Sequence, residues 1–255
     1  MAAWLNATVT EKIRWSERLY SLRFQITGTE DGETASFSFV PGQFVRVALD
    51  IDGERVARPY SLVNVPATEY LEIYFNIVPE GPLSPRLAEL ETGDSIFVAT
   101  RANGFLTVDE VPQSRYLWML ATGTGVGPFL SILASDAAWQ RFDKLVLAYS
   151  VREQSELGYR ELIEDIRQRH ADQFCFIPVV TREQIEGAVN TRIPEAIENG
   201  VLEKTAGVPL LAEESHVMMC GNSDMISSAT ECLKARGMKK HLRRDPGHIT
   251  TEKYH

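Results

Sequence analysis

The chain has 255 residues, of which 44% are apolar and 24% are charged, and its formal net charge at pH 7 is −9. This composition supports a sizeable apolar core and excludes a disordered chain. The negative charge argues against nucleic-acid binding, because phosphate contacts need a surplus of Lys and Arg. No apolar run approaches the roughly 20 residues of a membrane-spanning helix, and Met1–Thr10 is unlike a signal peptide, so we expect a cytoplasmic protein.

The first part of the chain reads as short strands separated by turn residues. Alternating apolar and polar side chains predict strands at Thr8–Ile13, Tyr20–Ile26, Gln43–Leu49, Leu71–Val78 and Ser95–Ala99. Asp52-Gly53 is a hairpin signal, and Ser84–Leu90 is predicted as a helix. Several short strands at this spacing favour a closed antiparallel barrel.

After Pro112 the pattern changes to continuous apolar runs followed by helix-like segments. The runs predict strands at Tyr116–Ala121, Leu145–Ser150, Phe174–Val180 and His216–Cys220. The segments predict helices near Pro128–Trp139, Tyr159–Arg169 and Ser223–Arg236. Strands that are apolar on both faces indicate a parallel sheet covered by helices on both sides. The sequence therefore predicts two domains, residues 1–110 and 111–255.

Ligands of open parallel sheets bind beyond the carboxyl ends of the strands. Gly123-Thr124-Gly125 follows the first predicted strand of this sheet, and its glycines would let the backbone approach a pyrophosphate. The alternative is a tight strand-to-helix turn with no ligand. The spacing differs from Gly-x-Gly-x-x-Gly, which predicts a different grip on a dinucleotide from that of the usual fold.

Arginines follow the second and third predicted strands of the sheet. Arg152, Arg182 and, further on, Arg192 offer planar cations that suit the 2′-phosphate of NADPH. An NAD site would instead offer a carboxylate to the ribose, and Glu153 keeps that alternative open. Taken singly, each arginine is equally consistent with an ordinary exposed side chain.

The three cysteines are odd in number and lack the spacing of metal ligands. The sequence therefore predicts no disulfide framework, no cysteine-held iron–sulfur cluster and no metal site. Cys175 and Cys232 are expected to be inert packing residues. Cys220 ends the fourth strand, where it could lie beside a nicotinamide, and Gly221 would permit the close approach.

Arg58-Pro59-Tyr60-Ser61 places a cation, an aromatic ring and a hydroxyl in one strand-like segment. A regular strand would send Arg58 and Tyr60 to one face and Ser61 to the other. A local bend would let one segment neutralise a phosphate, stack on a flat ring and donate a hydrogen bond. The alternative is a strand with a surface arginine and a packed tyrosine.

The C-terminal region has two features, each with two interpretations. Lys239–Arg244 is basic, and it either docks an acidic protein or forms a solvated turn. The tail, Gly247–His255, either frays as chain ends commonly do or folds its aromatic end back onto a cofactor.

Together with Gly81-Pro82-Leu83-Ser84 and Cys220-Gly221-Asn222, these motifs resemble the ferredoxin–NADP reductase family, and the ending Lys240–Arg244 through Glu252–His255 resembles its bacterial ferredoxin/flavodoxin reductases. The resemblance covers nearly the whole chain. It implies an antiparallel Greek-key FAD-binding barrel followed by an NADP-binding α/β domain. It also implies electron transfer between NADPH and ferredoxin or flavodoxin, with hydride transfer between nicotinamide C4 and flavin N5, in a monomer.

By this resemblance Arg58 would meet the FAD pyrophosphate, Tyr60 would stack on the isoalloxazine and Ser61 would hydrogen-bond near N5. Tyr254 would cover the other face of the flavin. The remaining FAD contacts would be Pro59, Phe75, Asn76, Ile77, Pro82, Leu83, Ser84, Thr124, Thr251, Glu252, Lys253 and His255. The NADP contacts would be Thr124, Val151, Arg152, Thr181, Arg182 and Arg192.

Three residues, Ser61, Cys220 and Glu252, would act in catalysis according to the same resemblance. Two positions depart from the family pattern: Pro82 stands where lysine is frequent, and His255 stands where the bacterial relatives often end in tryptophan. Two alternatives to this function stay open. One is an oxygenase reductase component or a free-flavin reductase, and the other is a non-catalytic nucleotide-binding electron-transfer subunit.

Overall fold

The computed structural model describes residues 4–253 of the chain. Its residue contacts divide the chain into two compact units, one that ends at Gly104 and one that begins at Phe105. The first unit is built from antiparallel strands and the second from a parallel sheet with helices. This combination confirms the predicted fold class.

The first unit is one six-stranded antiparallel sheet in the order β4-β3-β6-β1-β2-β5. Its strands are β1 Trp4–Arg14, β2 Leu19–Thr29, β3 Phe44–Ile51, β4 Glu54–Ser61, β5 Leu71–Asn76 and β6 Ser95–Ala99. Strand β6 lies between β3 and β1, which is a Greek-key arrangement. The two edges of the sheet meet through an antiparallel bridge between Leu62 and Ile73, so the sheet curls into a barrel.

Alternation along these strands fills the barrel with apolar side chains. The central ones, Val45, Val47, Leu22, Phe24, Ile73, Ile96 and Val98, are fully buried. Strands β3 and β4 pair up to Ile51 and Glu54, so the predicted hairpin turn at Asp52-Gly53 is present. One helix, α1 Ser84–Glu89, packs Leu87 against this core.

The second unit is a five-stranded parallel sheet in the order β11-β10-β7-β8-β9. Its strands are β7 Tyr116–Thr122, β8 Lys144–Val151, β9 Phe174–Val180, β10 Ser215–Gly221 and β11 Ile249–Lys253. Its helices are α2 Gly127–Leu133, α3 Asp136–Arg141, α4 Arg160–Arg169, α5 Ile193–Glu198, α6 Val201–Ala206 and α7 Ser223–Ala235. The central strands are buried along nearly their whole length, as expected for a sheet covered on both faces.

The predicted helix near Pro128–Trp139 is wrong, because the structure has two helices there. Helix α2 ends at Leu133, and Ser135 adopts an extended conformation with φ −101° and ψ 154° before α3 begins. The Ser135 hydroxyl donates to the Ile132 carbonyl at 2.7 Å. Serine side chains compete in this way for backbone groups at helix ends, and the chain therefore restarts its helix after Ser135.

The tail contributes a fifth strand to the parallel sheet, which the sequence did not predict. Strand β11 pairs with β10 from Ile249 opposite Val217 to Lys253 opposite Gly221. The fraying interpretation is therefore wrong up to Lys253. The segment carries one buried apolar residue, Ile249, rather than an apolar run, so it lacked the pattern of a buried strand.

Candidate functional site

The motif at the end of β4 is a regular strand. Val45 pairs with Tyr60, and Val47 pairs with Arg58, with no shift of register along β4. Arg58 and Tyr60 therefore share one face, and Ser61 lies on the other. The local bend considered from the sequence is not found over Glu54–Ser61.

Tyr60 is held edge-on against Phe75 of β5, with ring centroids 5.9 Å apart and planes at 70°. Burial raises the pKa of Tyr60 to about 12, and the nearby Arg58 guanidinium opposes this only in part. The phenol is therefore neutral at physiological pH. The exposed Arg58 keeps its guanidinium beside this ring and donates to the Ala57 carbonyl at 2.8 Å.

The turn after β5 is clamped by Ser84, whose hydroxyl accepts a hydrogen bond from the backbone N–H of Val78 at 2.9 Å. Leu83 is 1% exposed, so it serves the core, whereas Pro82 is exposed. A serine oxygen that accepts a hydrogen bond can still donate its own hydrogen. This turn therefore offers a hydroxyl donor, but no side-chain cation at Pro82.

Two glycines interlock the ends of β7 and β10. A Cβ on Gly125 would lie 2.3 Å from the Cys220 carbonyl oxygen, and a Cβ on Gly221 would lie 2.0 Å from Thr122 Oγ1. Gly221 also has φ +135°, which other residues rarely adopt. The backbone N–H of Asn222 donates to Thr122 Oγ1 at 2.8 Å. We call Thr122, Gly125 and Gly221 the glycine lock.

The tail strand brings Glu252 to the position opposite Cys220 on the neighbouring strand β10. Thr251 and Lys253 lie opposite Met219 and Gly221 in the same way. Neighbouring strands are separated by about 4.8 Å, so two of the three residues predicted for catalysis share one edge of the sheet. Cys220 is fully buried there, and Glu252 is partly exposed.

The ends of β8 and β9 carry two of the predicted arginines. The backbone N–H of Arg182 donates to the Arg152 carbonyl at 2.9 Å, which holds the two segments together. Arg192 precedes α5 as its N-cap residue. All three side chains are exposed, and between Trp4 and Lys253 no carboxylate forms an ion pair with any of them.

The predicted contact residues differ in their exposure. The exposed ones are Arg58, Pro59, Asn76, Pro82, Arg152, Arg182, Arg192 and Lys253. The partly buried ones are Tyr60, Ile77, Thr181, Thr251 and Glu252. The buried ones are Ser61, Phe75, Leu83, Ser84, Thr124, Val151 and Cys220. Tyr254 and His255 lie outside the described residues.

The basic segment Lys239–Arg244 is partly neutralised by carboxylates. Arg243 pairs with Glu110 through Nε and Oε2 at 2.9 Å, and this lowers the pKa of Glu110. Lys239 Nζ lies 2.5 Å from an Asp245 carboxylate oxygen. These ion pairs favour the solvated turn over a dedicated docking surface.

Two residues at the carboxyl ends of β7 and β10, Thr122 and Asn222, have roles that the sequence did not predict. Asn222 caps α7, accepting from the N–H groups of Asp224 and Met225 at 2.8 and 3.2 Å. An Asn directly before the predicted helix was a signal for this role. Thr122 carried no signal, because its partner Asn222 lies 100 residues further along the chain.

Two further properties concern membranes and metals. Among residues 4–253, no helix combines the length and apolar character needed to cross a bilayer. Within the same part of the chain, no group of three His, Cys, Asp or Glu side chains is arranged to hold a metal ion.

Comparison with known proteins agrees with this architecture. A model described as an oxidoreductase FAD-binding domain matches residues 6–102, and one described as an oxidoreductase NAD-binding domain matches residues 119–231. A barrel of the first kind followed by an α/β unit of the second defines the class of FAD-dependent oxidoreductases that use a nicotinamide nucleotide. This confirms the predicted cofactors, FAD and a nicotinamide dinucleotide.

Similar proteins define the family more narrowly. The chain is 44% identical to the flavodoxin/ferredoxin–NADP reductase of Escherichia coli strain K12 over 100% of both chains. It is 37% identical to the protein of that name in Buchnera aphidicola subsp. Schizaphis graminum, again over both full lengths. A ferredoxin NADP⁺ reductase of Neisseria gonorrhoeae, solved with FAD and NADP bound, matches with a TM-score of 0.91 at 29% identity over 99% of each chain. The chain belongs to the flavodoxin/ferredoxin–NADP reductase family, as its motifs predicted.

Proposed function

We propose that this protein transfers electrons between NADPH and a ferredoxin or flavodoxin, with FAD as the bound intermediary. One observation carries the choice of NADPH: the guanidinium groups of Arg152, Arg182 and Arg192 form no ion pair with a carboxylate within the described part of the chain. This holds although Glu153 is next to Arg152 and Glu183 is next to Arg182 in the sequence. When bound, FAD supplies the change from two-electron to one-electron chemistry. A hydride would be exchanged between nicotinamide C4 and flavin N5, and single electrons would be exchanged with the carrier protein.

The first unit has side chains that fit FAD. Arg58 is exposed and can neutralise the pyrophosphate, and the neutral ring of Tyr60 offers a surface for the isoalloxazine. Ser61 is the last residue of β4 and lies on the other face from Tyr60, so we assign its buried hydroxyl to a hydrogen bond near N5 beyond the end of the strand. Ser84 offers a donor for the diphosphate. The flavin-contacting set we propose also includes, from the first unit, Pro59, Phe75, Asn76, Ile77, Pro82 and, through its backbone, Leu83. From the second unit it includes Thr124, Thr251, Glu252, Lys253, Tyr254 and His255.

The strand-end arginines fit the 2′-phosphate of NADPH. Planar guanidinium groups bind phosphate oxygens in pairs, and an arginine held by no carboxylate is available for this. Thr181 lies between the two strand ends, with its backbone N–H donating to the Val151 carbonyl at 3.1 Å. Thr124 lies in the turn of the glycine lock. Val151 and Thr124 complete the NADP-contacting set.

The carboxyl end of β10, beside the glycine lock, would present Cys220 to the nicotinamide. The position that a Cβ on Gly221 would take is filled by Thr122, so the end of β10 is packed closely against the end of β7 and is held in place. Cys220 offers a small, polarizable contact, and Glu252 adds a partly exposed carboxylate opposite it. Hydride transfer requires no general acid, so Ser61, Cys220 and Glu252 would tune geometry and rate.

The acceptor is proposed from the names of the relatives, which are flavodoxin/ferredoxin–NADP reductases. We also propose that the protein is a monomer and that it is located in the cytoplasm. The rival is a free-flavin reductase or an oxygenase component, which would use a different acceptor. A non-catalytic electron-transfer subunit is the alternative of another class.

Stopped-flow reduction of a purified flavodoxin and a purified ferredoxin tests the proposal. With NADPH and catalytic amounts of the protein, we expect either carrier to be reduced many times faster than free FMN at the same concentration. Faster reduction of free FMN than of both carriers would favour the free-flavin reductase. No reduction of any acceptor would favour the non-catalytic subunit.

A further inference from the structure

Two arginine-bearing segments, Arg152–Glu156 after β8 and Thr181–Glu183 after β9, are joined by a short ladder of hydrogen bonds. Its first rungs are the backbone bonds from Thr181 N–H to the Val151 carbonyl at 3.1 Å and from Arg182 N–H to the Arg152 carbonyl at 2.9 Å. The last rung uses a side chain: a Glu183 carboxylate oxygen accepts from the backbone N–H of Gln154 at 2.6 Å.

The carboxylates next to the arginines are engaged by backbone N–H groups. Glu156 Oε2 accepts from the N–H groups of Arg152 and Glu153 at 2.8 and 3.2 Å. Glu183 Oε2 accepts from Gln154, and the backbone carbonyl of Glu183 accepts from Asn190 Nδ2 at 2.9 Å. The carboxylate of Glu183 therefore belongs to one segment and binds the other.

We propose that Glu183 is a positioning residue for recognition of the 2′-phosphate. Its carboxylate fixes the segment that follows Arg152 to the segment that contains Arg182, and so it sets the separation of the two guanidinium groups. This inference rests on the proposed function, in which these arginines bind the 2′-phosphate of NADPH. Glu183 itself does not contact the nucleotide in this proposal.

The sign of its effect separates positioning from simple electrostatics. A carboxylate near a phosphate repels it, so if only the charge of Glu183 mattered, neutralising it would strengthen phosphate binding. If the hydrogen bond to Gln154 matters, loss of the acceptor weakens binding, and a neutral side chain that keeps an acceptor oxygen restores it. Glu183→Ala and Glu183→Gln distinguish these two roles.

Gln154 allows the same hydrogen bond to be removed from the donor side. Gln154 is the first residue of a short 3₁₀ helix, and the preceding Glu153 already has φ −125° and ψ 149°. Proline is tolerated at the first position of a helix and requires an extended residue before it. Gln154→Pro therefore deletes the N–H donor and leaves the charge of Glu183 in place.

The experiment measures binding of adenosine 2′,5′-bisphosphate and of 5′-AMP to the FAD-loaded protein by titration calorimetry. We expect the affinity for the bisphosphate to fall about tenfold in Glu183→Ala and in Gln154→Pro, the scale of one charge-assisted hydrogen bond. In Glu183→Gln it should stay within about twofold of wild type. The double variant Glu183→Ala/Gln154→Pro should lose no more than either single variant, because both remove one bond. Affinity for 5′-AMP should not change.

The matched control is Glu186→Ala, which removes an exposed carboxylate from the same loop and should leave both affinities unchanged. Equal affinities in Glu183→Ala and wild type, or tighter bisphosphate binding in both Glu183 variants, would overturn the positioning role. Arg182→Ala separates this failure from that of the proposed function. If Arg182→Ala weakens bisphosphate binding and Glu183→Ala does not, only the positioning role fails. If wild type does not distinguish the two nucleotides, both fail.

Discussion

The carboxyl end of the parallel sheet is built in two different ways. At β7 and β10 the strand ends are buried and locked by atomic contacts, with Gly125 and Gly221 each placed where a Cβ would collide. At β8 and β9 the strand ends are followed by exposed arginines, and hydrogen bonds through Thr181 and Glu183 join the two segments. One end is fixed by close packing and the other by a polar ladder.

The difference matches the two ends of the proposed ligand. A flat, neutral ring is recognised by the shape of its site, which requires a closely packed and rigid strand end. A doubly charged phosphate is recognised by guanidinium groups that stay solvated until it binds, which requires exposure. Substitutions in the first region should therefore affect folding and turnover together, and substitutions in the second should affect nucleotide preference alone.

The largest effect is expected from Gly221→Ala. The new Cβ would lie 2.0 Å from Thr122 Oγ1 at a φ of +135°, so the turn must move. We expect a loss of about 3 kcal/mol or more in the free energy of unfolding. Urea denaturation measures it. The control is Gly207→Ala, at φ +69° with nothing within 4 Å, which should cost only about 1 kcal/mol. Equal losses of unfolding free energy in Gly221→Ala and Gly207→Ala would contradict a packing role for the glycine lock.

Arg182→Ala tests the exposed arginine region at the carboxyl ends of β8 and β9. Loss of one guanidinium should weaken NADPH binding by about 2 kcal/mol, or roughly 30-fold in KM, while the KM for NADH and the stability change little. Steady-state kinetics with both nucleotides measures this, and Arg160→Ala, an exposed arginine of α4, is the control. Equal increases in KM for NADPH and NADH would contradict a 2′-phosphate site.

Acid should destabilise the parallel sheet through His216, which lies near the amino end of β10. Burial, with smaller electrostatic contributions from the neighbouring His241 and His248, lowers the pKa of His216 from 6.5 to about 3. Below pH 6.5 the unfolded chain binds a proton at His216 that the folded protein does not bind. The free energy of unfolding therefore decreases as the pH is lowered, down to about pH 3. Between pH 6 and pH 5 the loss from this residue should be about 1 kcal/mol.

The comparison for this pH effect is His216→Gln, which removes the titrating group. Urea midpoints at pH 7.5, 6 and 5 should decline less steeply in His216→Gln than in wild type. The imidazole Nε2 lies 2.9 Å from Thr250 Oγ1, so the variant is expected to be less stable at pH 7.5 and only the slope is informative. Identical slopes would contradict a depressed pKa at His216.

The smallest effect is expected from Thr122→Val, which removes the acceptor of the Asn222 N–H but keeps the shape of the side chain. The expected loss is about 0.5–1 kcal/mol of stability, with a lower kcat because the strand end that carries Cys220 loosens. Thr122→Ser should restore both. A kcat for Thr122→Val equal to that of Thr122→Ser would show that the hydrogen bond does not position this edge.

The parts of this molecule that the sequence predicted are those with local patterns. The apolar runs predicted strands at Tyr116–Ala121 and Leu145–Ser150, and the structure has them as Tyr116–Thr122 and Lys144–Val151. The residues just after these runs made Thr124 and Arg152 candidates, and their roles stay predictions. The strand predictions succeed because a buried parallel strand needs apolar residues on both faces.

Most of the features that the sequence did not predict depend on contacts between distant segments. Thr122 meets Asn222 only because β7 and β10 are neighbours in the sheet, and Glu183 meets Gln154 only because β8 and β9 are. Strand β11 is stabilised by pairing with β10 rather than by its own pattern. The interruption between α2 and α3 is a local feature. The Ser135 hydroxyl donates a hydrogen bond to the Ile132 carbonyl and competes with the helical backbone, and an amphipathic pattern does not predict such a bond.

The most direct test is an absorbance spectrum of the purified protein, followed by anaerobic titration with NADPH and with NADH. We predict a yellow protein with tightly bound FAD whose visible absorbance is bleached by NADPH at far lower concentrations than by NADH. A protein that binds no FAD under any folding condition, or one that NADH bleaches as readily as NADPH, would contradict the account.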